Sequence, residues 1–224
     1  MLTRTTFATT IVIVAISAAQ ANAAQIIAFG QSSSSNTVTA TTNPGNTATT
    51  ISITDAAILI TEIFVGLPGA AMMDLTATSI DPVMVGASLQ QDYSGSFCIA
   101  SGPGCTGTVD LQGSFTDAVF GFANGTQLSV NVADPPENLS LSSDVIPALE
   151  LGPPSSFTLS MSNLTPPLTV AGTTIAPFSA SFSGVAEAAC HDTVLVVPTF
   201  RFILVMSAEQ LKTITTIGSS GDRR

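Results

Sequence analysis

Phe157-Thr158-Leu159-Ser160-Met161 is the stretch on which the reading of the fold turns. Apolar and hydroxylated residues alternate along it. An extended chain therefore puts Phe157, Leu159 and Met161 on one face and Thr158 and Ser160 on the other. A helix, with its period of about 3.6 residues, would scatter them. The same alternation returns at 36–41 (NTVTAT), at 50–54 (TISIT) and through 176–182. Breakers separate such runs: Asn43-Pro44-Gly45, Leu67-Pro68-Gly69, Asp81-Pro82, Gly102-Pro103-Gly104, Asn124-Gly125, Pro135-Pro136, Pro153-Pro154 and Pro166-Pro167. Proline neither continues a helix nor donates to a central ladder, so the spacing predicts strands of about five to nine residues. Segments 58–64 and 83–89 are apolar enough for buried central strands, and 145–151 is predicted to hold one helical turn. Many short strands without amphipathic helices imply an all-β chain: an antiparallel β-sandwich or jelly-roll-like single domain.

One hairpin is legible in detail. Tyr93-Ser94-Gly95-Ser96-Phe97-Cys98 is echoed by Leu111-Gln112-Gly113-Ser114-Phe115-Thr116. Between the echoes, Cys98 and Cys105 flank a turn-rich loop. The two echoes read as the arms of one hairpin, with a Cys98–Cys105 disulfide pinning its tip. Cys190 is left over, and an odd thiol in an exported chain is unusual.

Charge narrows the function. Between Arg4 and Arg201 there is no lysine or arginine, while 13 carboxylates lie between Asp55 and Asp192. His191 is the only histidine. Such a surface cannot neutralise phosphates, which argues against nucleic-acid partners. It also lacks an arginine clamp and a Schiff-base lysine. Polarity comes from Ser, Thr, Asn and Gln instead of ions.

The chain opens with an export signal. Arg4 is the positive n-region, 7–19 (FATTIVIVAISAA) an apolar h-region, and Ala21-Asn22-Ala23 an A-x-A site, so the mature chain is expected to begin at Ala24. The run is shorter than the roughly 20 residues a membrane span needs. The expected organisation is a signal peptide over 1–23, a Ser/Thr/Asn-rich segment over 24–50, a β-sandwich over 51–189 and an atypical tail over 190–224. Within the second, 31–50 reads as a flexible leader or as an edge strand with loops.

Catalytic constellations are weak. Cys190, His191 and Asp192 are adjacent, and neighbours in a strand point to opposite faces, so they do not make a triad. No G-x-S-x-G elbow is present. Carboxylate pairs for glycoside hydrolysis lack the aromatic platforms of a sugar cleft, since there is no Trp and a single Tyr. The chain is expected not to be an enzyme and to need no cofactor. Asp134, Glu137 and Asp144 surround a proline-rich loop and are candidates for a structural calcium ion, which takes oxygen ligands. Tyr93, together with Phe115, Phe120 and Phe122, is a candidate sugar contact.

The run from Gln91 to Ala189 resembles the exported portion of bacterial PEP-CTERM proteins. The likeness lies in Gln91-Asp92-Tyr93-Ser94-Gly95-Ser96-Phe97, in Gly113-Ser114-Phe115-Thr116-Asp117-Ala118 and in Ser179-Ala180-Ser181-Phe182-Ser183-Gly184. The resemblance implies a surface protein sorted by exosortase, with the export machinery, a sorting enzyme, and envelope or matrix components or glycans as partners. The Val-Pro-Glu-Pro ending, apolar helix and Arg-rich tail of that family are missing. After Ala189 the character changes, and Arg201, Lys212, Arg223 and Arg224 fall in the last 24 positions. Residues 190–224 are either a final strand with a frayed tail or the product of a shifted reading frame. The abrupt change of charge and the stray Cys190 and His191 favour the second. The functional expectation is a non-catalytic, structural or interaction protein of the cell envelope or extracellular matrix, with a carbohydrate-binding module as the alternative.

Overall fold

The computed structural model of the chain describes residues 23–66, 68–86, 88–122 and 128–189. Thirteen strands occur in them: β1 (Ala23–Gln31), β2 (Val38–Thr42), β3 (Thr49–Ile63), β4 (Gly69–Ser79), β5 (Met84–Val85), β6 (Leu89–Gly102), β7 (Thr106–Phe122), β8 (Leu128–Asp134), β9 (Asn138–Ser142), β10 (Ser155–Thr165), β11 (Val170–Ala171), β12 (Thr174–Ile175) and β13 (Phe178–Ala189). The predicted helical turn is a single 3-10 turn, Ala148–Leu151. The expected all-β, antiparallel single domain is what forms.

Strand pairing closes on itself. Around the ring run β1, β3, β4, β6, β7, β8, β10 and β13, each antiparallel to the next, and β13 returns to β1. The two layers of the sandwich are thus joined on both sides, and most strands have no free edge. β1 and β2 share one position in succession: β1 bridges β13 and β3 through residues 23–31, and β2 bridges the same two strands further on. Residues 24–50, expected as a separate segment, are therefore part of the barrel. Val38 and Ala40 are buried in it, so this stretch is neither a leader nor an edge.

Two other expectations are corrected. Segment 83–89 is not a central strand: it contains β5, which pairs only with β6 and leaves Met84 57% and Val85 71% exposed. The long strands also exceed the predicted lengths, β7 reaching 17 residues. They bend instead of breaking. Asp55, Asp117 and Asn163 have φ of 47°, 61° and 57° and sit at register shifts of β3, β7 and β10. Asp and Asn tolerate this left-handed geometry better than other side chains, and one extra residue lets the strand turn without flipping its apolar face.

The alternation read from the sequence sorts residues as expected. In β3, Ile51, Ile53, Ala56, Ile58 and Ile60 are buried while Thr54, Asp55, Ala57, Leu59 and Thr61 face out. Apolar inside and hydroxylated outside is the reverse of the pattern a barrel needs to face lipid. The interior is filled. Phe97 of β6 stacks on Phe157 of β10 at 4.0 Å between centroids, three strands away around the ring. Phe29 adds contacts to Phe157 at 6.5 Å and Phe182 at 6.4 Å.

One end of the barrel is sealed by a buried polar network. Gln91 Oε1 accepts from the Tyr93 hydroxyl at 3.1 Å and from Ile175 N at 3.2 Å, while its Nε2 donates to Asp81 O at 2.8 Å. Thr49 and Thr174 hydroxyls meet at 2.7 Å. Every partner is internal, so these groups are buried without an unpaired donor or acceptor on Gln91. Desolvation by burial pushes the Tyr93 phenol far above its ordinary value, and it stays neutral.

Candidate functional site

The predicted hairpin is real and its echoes lie on each other. Gly95 pairs with Phe115, Ser96 with Ser114 and Phe97 with Gly113. Gly113 is needed there: a Cβ on it would come within 2.8 Å of both the Phe97 ring and Ser140 O. The Cys98–Cys105 disulfide also forms, with Cα atoms 5.8 Å apart. Cys98 points outward from β6, so the bridge folds the turn at 103–105 back over the outer face of the sheet. Two acids hold it down. Gly104 N donates to Asp55 Oδ1 at 2.6 Å, and Asp55 N donates to Asp74 Oδ1 at 3.0 Å. Closing so short a loop contributes about 2–3 kcal/mol by chain entropy. Replacing Cys98 and Cys105 by Ser is expected to lower stability by that amount and leave the far-UV spectrum of the barrel unchanged, as checked by denaturant titration.

Beneath this strapped turn lies a groove of about 590 Å³ on the outer faces of β4, β6, β7 and β9. Two cross-strand rows line it: Asp74, Cys98, Gln112 and Ser142, then Thr76, Ser96, Ser114 and Ser140. The second row continues around the sheet through Ser52, Thr39, Ser179 and Thr165, so eight hydroxylated residues lie side by side on eight strands. Away from the groove three of these side chains are engaged: Thr39 donates to Ser52 O, Thr165 to Asn163 O and Ser179 to Thr165 O. Among the described residues, the hydroxyls of Thr76, Ser96, Ser114, Ser140 and Ser142 and the Gln112 amide nitrogen bond to no protein group. Five hydroxyls and one amide nitrogen therefore stand unengaged in the groove.

The other expected sites fare differently. Tyr93 is fully buried and Phe115 is 3% exposed, so neither offers a ring face to a sugar; the alternation that makes them strand residues turns them inward. Phe120 and Phe122 lie outside the described side chains. Asp134, Glu137 and Asp144 do not converge. Asp144 Oδ2 accepts from Val109 N of β7 at 2.8 Å, and Glu137 Oε2 from Ala133 N of its own turn at 3.2 Å. No group of three potential ligands that could hold a metal ion occurs among the described residues. Ala21 and residues 190–224, with Cys190 and His191, lie outside the described residues. Ala23 and Ala24 begin β1, opposite Ala189 and Ala188.

The groove went unrecognised in the sequence because it needs four strands, two of them separated by the long β7. The available signal was the Gly-Ser-Phe echo, which places Ser96 beside Ser114.

Two carboxyls, Asp92 and Asp110, are shifted, both upward. Burial, then Asp81, Asp117 and Glu137, raise the Asp92 carboxyl above its ordinary value. Burial and then Asp144 raise Asp110. A raised folded-state pKa means that the protonated form is favoured by folding. That contribution is present below the unfolded pKa and is lost as pH rises through the folded one. With no lysine or arginine partner between residues 5 and 200, mild acid breaks no such salt bridge. The melting temperature is therefore expected to be as high at pH 4.5 as at pH 7.5, or higher; a clear fall on acidification, measured by calorimetry, would contradict this.

Comparison with protein-family models, with curated proteins and with solved structures found no match for this chain.

Proposed function

We propose that this is a non-catalytic exported protein of the cell envelope or extracellular matrix, with a structural or interaction role. The observation that supports it best is the outer surface. Rows of Ser and Thr clothe a closed barrel whose polarity owes little to ions, and a disulfide straps the longest hairpin. Disulfides persist in oxidising compartments, outside the cytosol. Under this reading the export machinery removes residues 1–23, and the PEP-CTERM resemblance makes a sorting enzyme and matrix components the natural partners.

Intact mass of the native protein, taken from medium and surface fractions, tests the reading. The expected chain begins at Ala24 and is two hydrogens lighter than its reduced form. A cytosolic chain that keeps Met1 and free thiols would overturn it. A mass that departs from the sequence near Ala189 would support the shifted reading frame and exclude Cys190 from the mature protein.

A second reading, a carbohydrate-binding module, is favoured by one feature, the groove under the strapped turn. It would rest on hydroxyl and amide contacts and not on Tyr93.

A further inference from the structure

The groove's chemistry goes further than a general affinity for sugars. We infer that it takes a neutral polysaccharide chain, lying across β4, β6, β7 and β9 along the row Thr76, Ser96, Ser114 and Ser140, and that it rejects acidic polymers. The inference rests on the carbohydrate-binding reading.

Three observations carry it. First, the groove has donors and acceptors that the protein leaves unused, four of them in a single row. Paired residues on neighbouring strands recur about every 4.8 Å. A polymer that presents a hydroxyl pair on each ring can meet such a row repeatedly, whereas a compact ligand would meet one or two members. Second, the walls are fixed before a ligand arrives. The hydrogen-bonded chain from Gly104 through Asp55 to Asp74, with the Cys98–Cys105 bridge, sets one side. Gly113 fixes the sheet beneath it from the inner side, where the Phe97 ring and Ser140 O leave no room for a side chain. Holding the groove in shape reduces the ordering cost of binding. Third, the charge is one-sided. Asp74 lines the groove and Asp55 buttresses it, and no lysine or arginine exists between residues 5 and 200 to pair with a uronate, sulfate or phosphate. An acidic polymer would place its charge beside a carboxylate without compensation. A neutral hydroxyl, by contrast, can donate to the Asp74 carboxylate, a charge-assisted bond.

The test is affinity electrophoresis of the mature chain in gels containing laminarin, galactomannan or starch as neutral polymers, and alginate as an acidic one. At least one neutral polymer is expected to retard the protein, and alginate is expected not to. A Gln112→Ala, Ser114→Ala double variant should weaken binding at least about tenfold, as loss of two or three hydrogen bonds implies. Both residues are exposed, so the melting temperature should not change. A Ser160→Ala, Ser183→Ala variant alters paired hydroxyls of β10 and β13, outside the groove, and should change binding less than about twofold. Equal retardation by alginate would overturn the inference and leave the carbohydrate reading standing. Equal loss in both double variants would overturn the groove as the site. Failure of every polymer would remove the carbohydrate reading itself.

Discussion

Phe157→Ala is expected to cost about 3–5 kcal/mol, a large part of the stability of a domain this size. Its ring is the hinge of the core. It stacks on Phe97 at 4.0 Å and lies 6.5 Å from Phe29, so one side chain links three strands of the ring: β10, β6 and β1. Phe157 is fully buried, and the truncated site could close only if opposite walls of a closed barrel moved together. Hydrogen-bonded neighbours on both sides of each strand resist that movement, so the cavity term stays near its upper range. A shift in the denaturant midpoint at unchanged slope would report it. A loss below about 1 kcal/mol would mean that the stack contributes little more than a surface contact.

The second large effect is expected at Gly95. A Cβ built there would lie 2.2 Å from Thr76 O and 2.7 Å from Ala77 Cα, both backbone atoms of the neighbouring β4. A side-chain neighbour could rotate away; a paired backbone cannot without separating β4 from β6. Gly95→Ala should therefore destabilise by about 3 kcal/mol or more, despite adding one methyl group. Gly121→Ala provides the comparison. Its nearest neighbour would be Gln90 Cγ at 3.9 Å, so it should be close to neutral. Equal melting temperatures for the two variants, by calorimetry, would show that β4 and β6 are not packed this closely.

Much of the fold can be read from period-2 patterning alone. The alternation in 157–161 and 50–54 gives strands whose apolar face turns inward, because burial rewards one face and water the other. The Gly-Ser-Phe echo gives a hairpin, and Gly113 leaves room for Phe97 of the opposite strand. Strand length was less legible. Bulges at Asp55, Asp117 and Asn163 bend strands that local rules would end, and a bulge has no strong local signature. The misplaced strand at 83–89 shows the same limit: its apolar residues suit a buried strand, but the loop takes them to the barrel's rim, where Met84 and Val85 remain exposed.

The site was less legible still. Tyr93 looked available as the chain's only tyrosine, yet it is locked beneath Gln91. Asp134, Glu137 and Asp144 are close in sequence but form no ligand group, and the carboxylates of Glu137 and Asp144 bond different backbone amides.

The sequence by itself determined the strand period, the want of cations between residues 5 and 200, and the Cys98–Cys105 bridge, because each depends on local spacing or on composition. Only the tertiary structure decided that the sheet closes, that residues 24–50 belong to it, and that hydroxyls from eight strands line up in one row. Those features depend on register between segments far apart in the chain. Register is settled by how a whole apolar face fits a shared interior, which no single stretch of sequence contains.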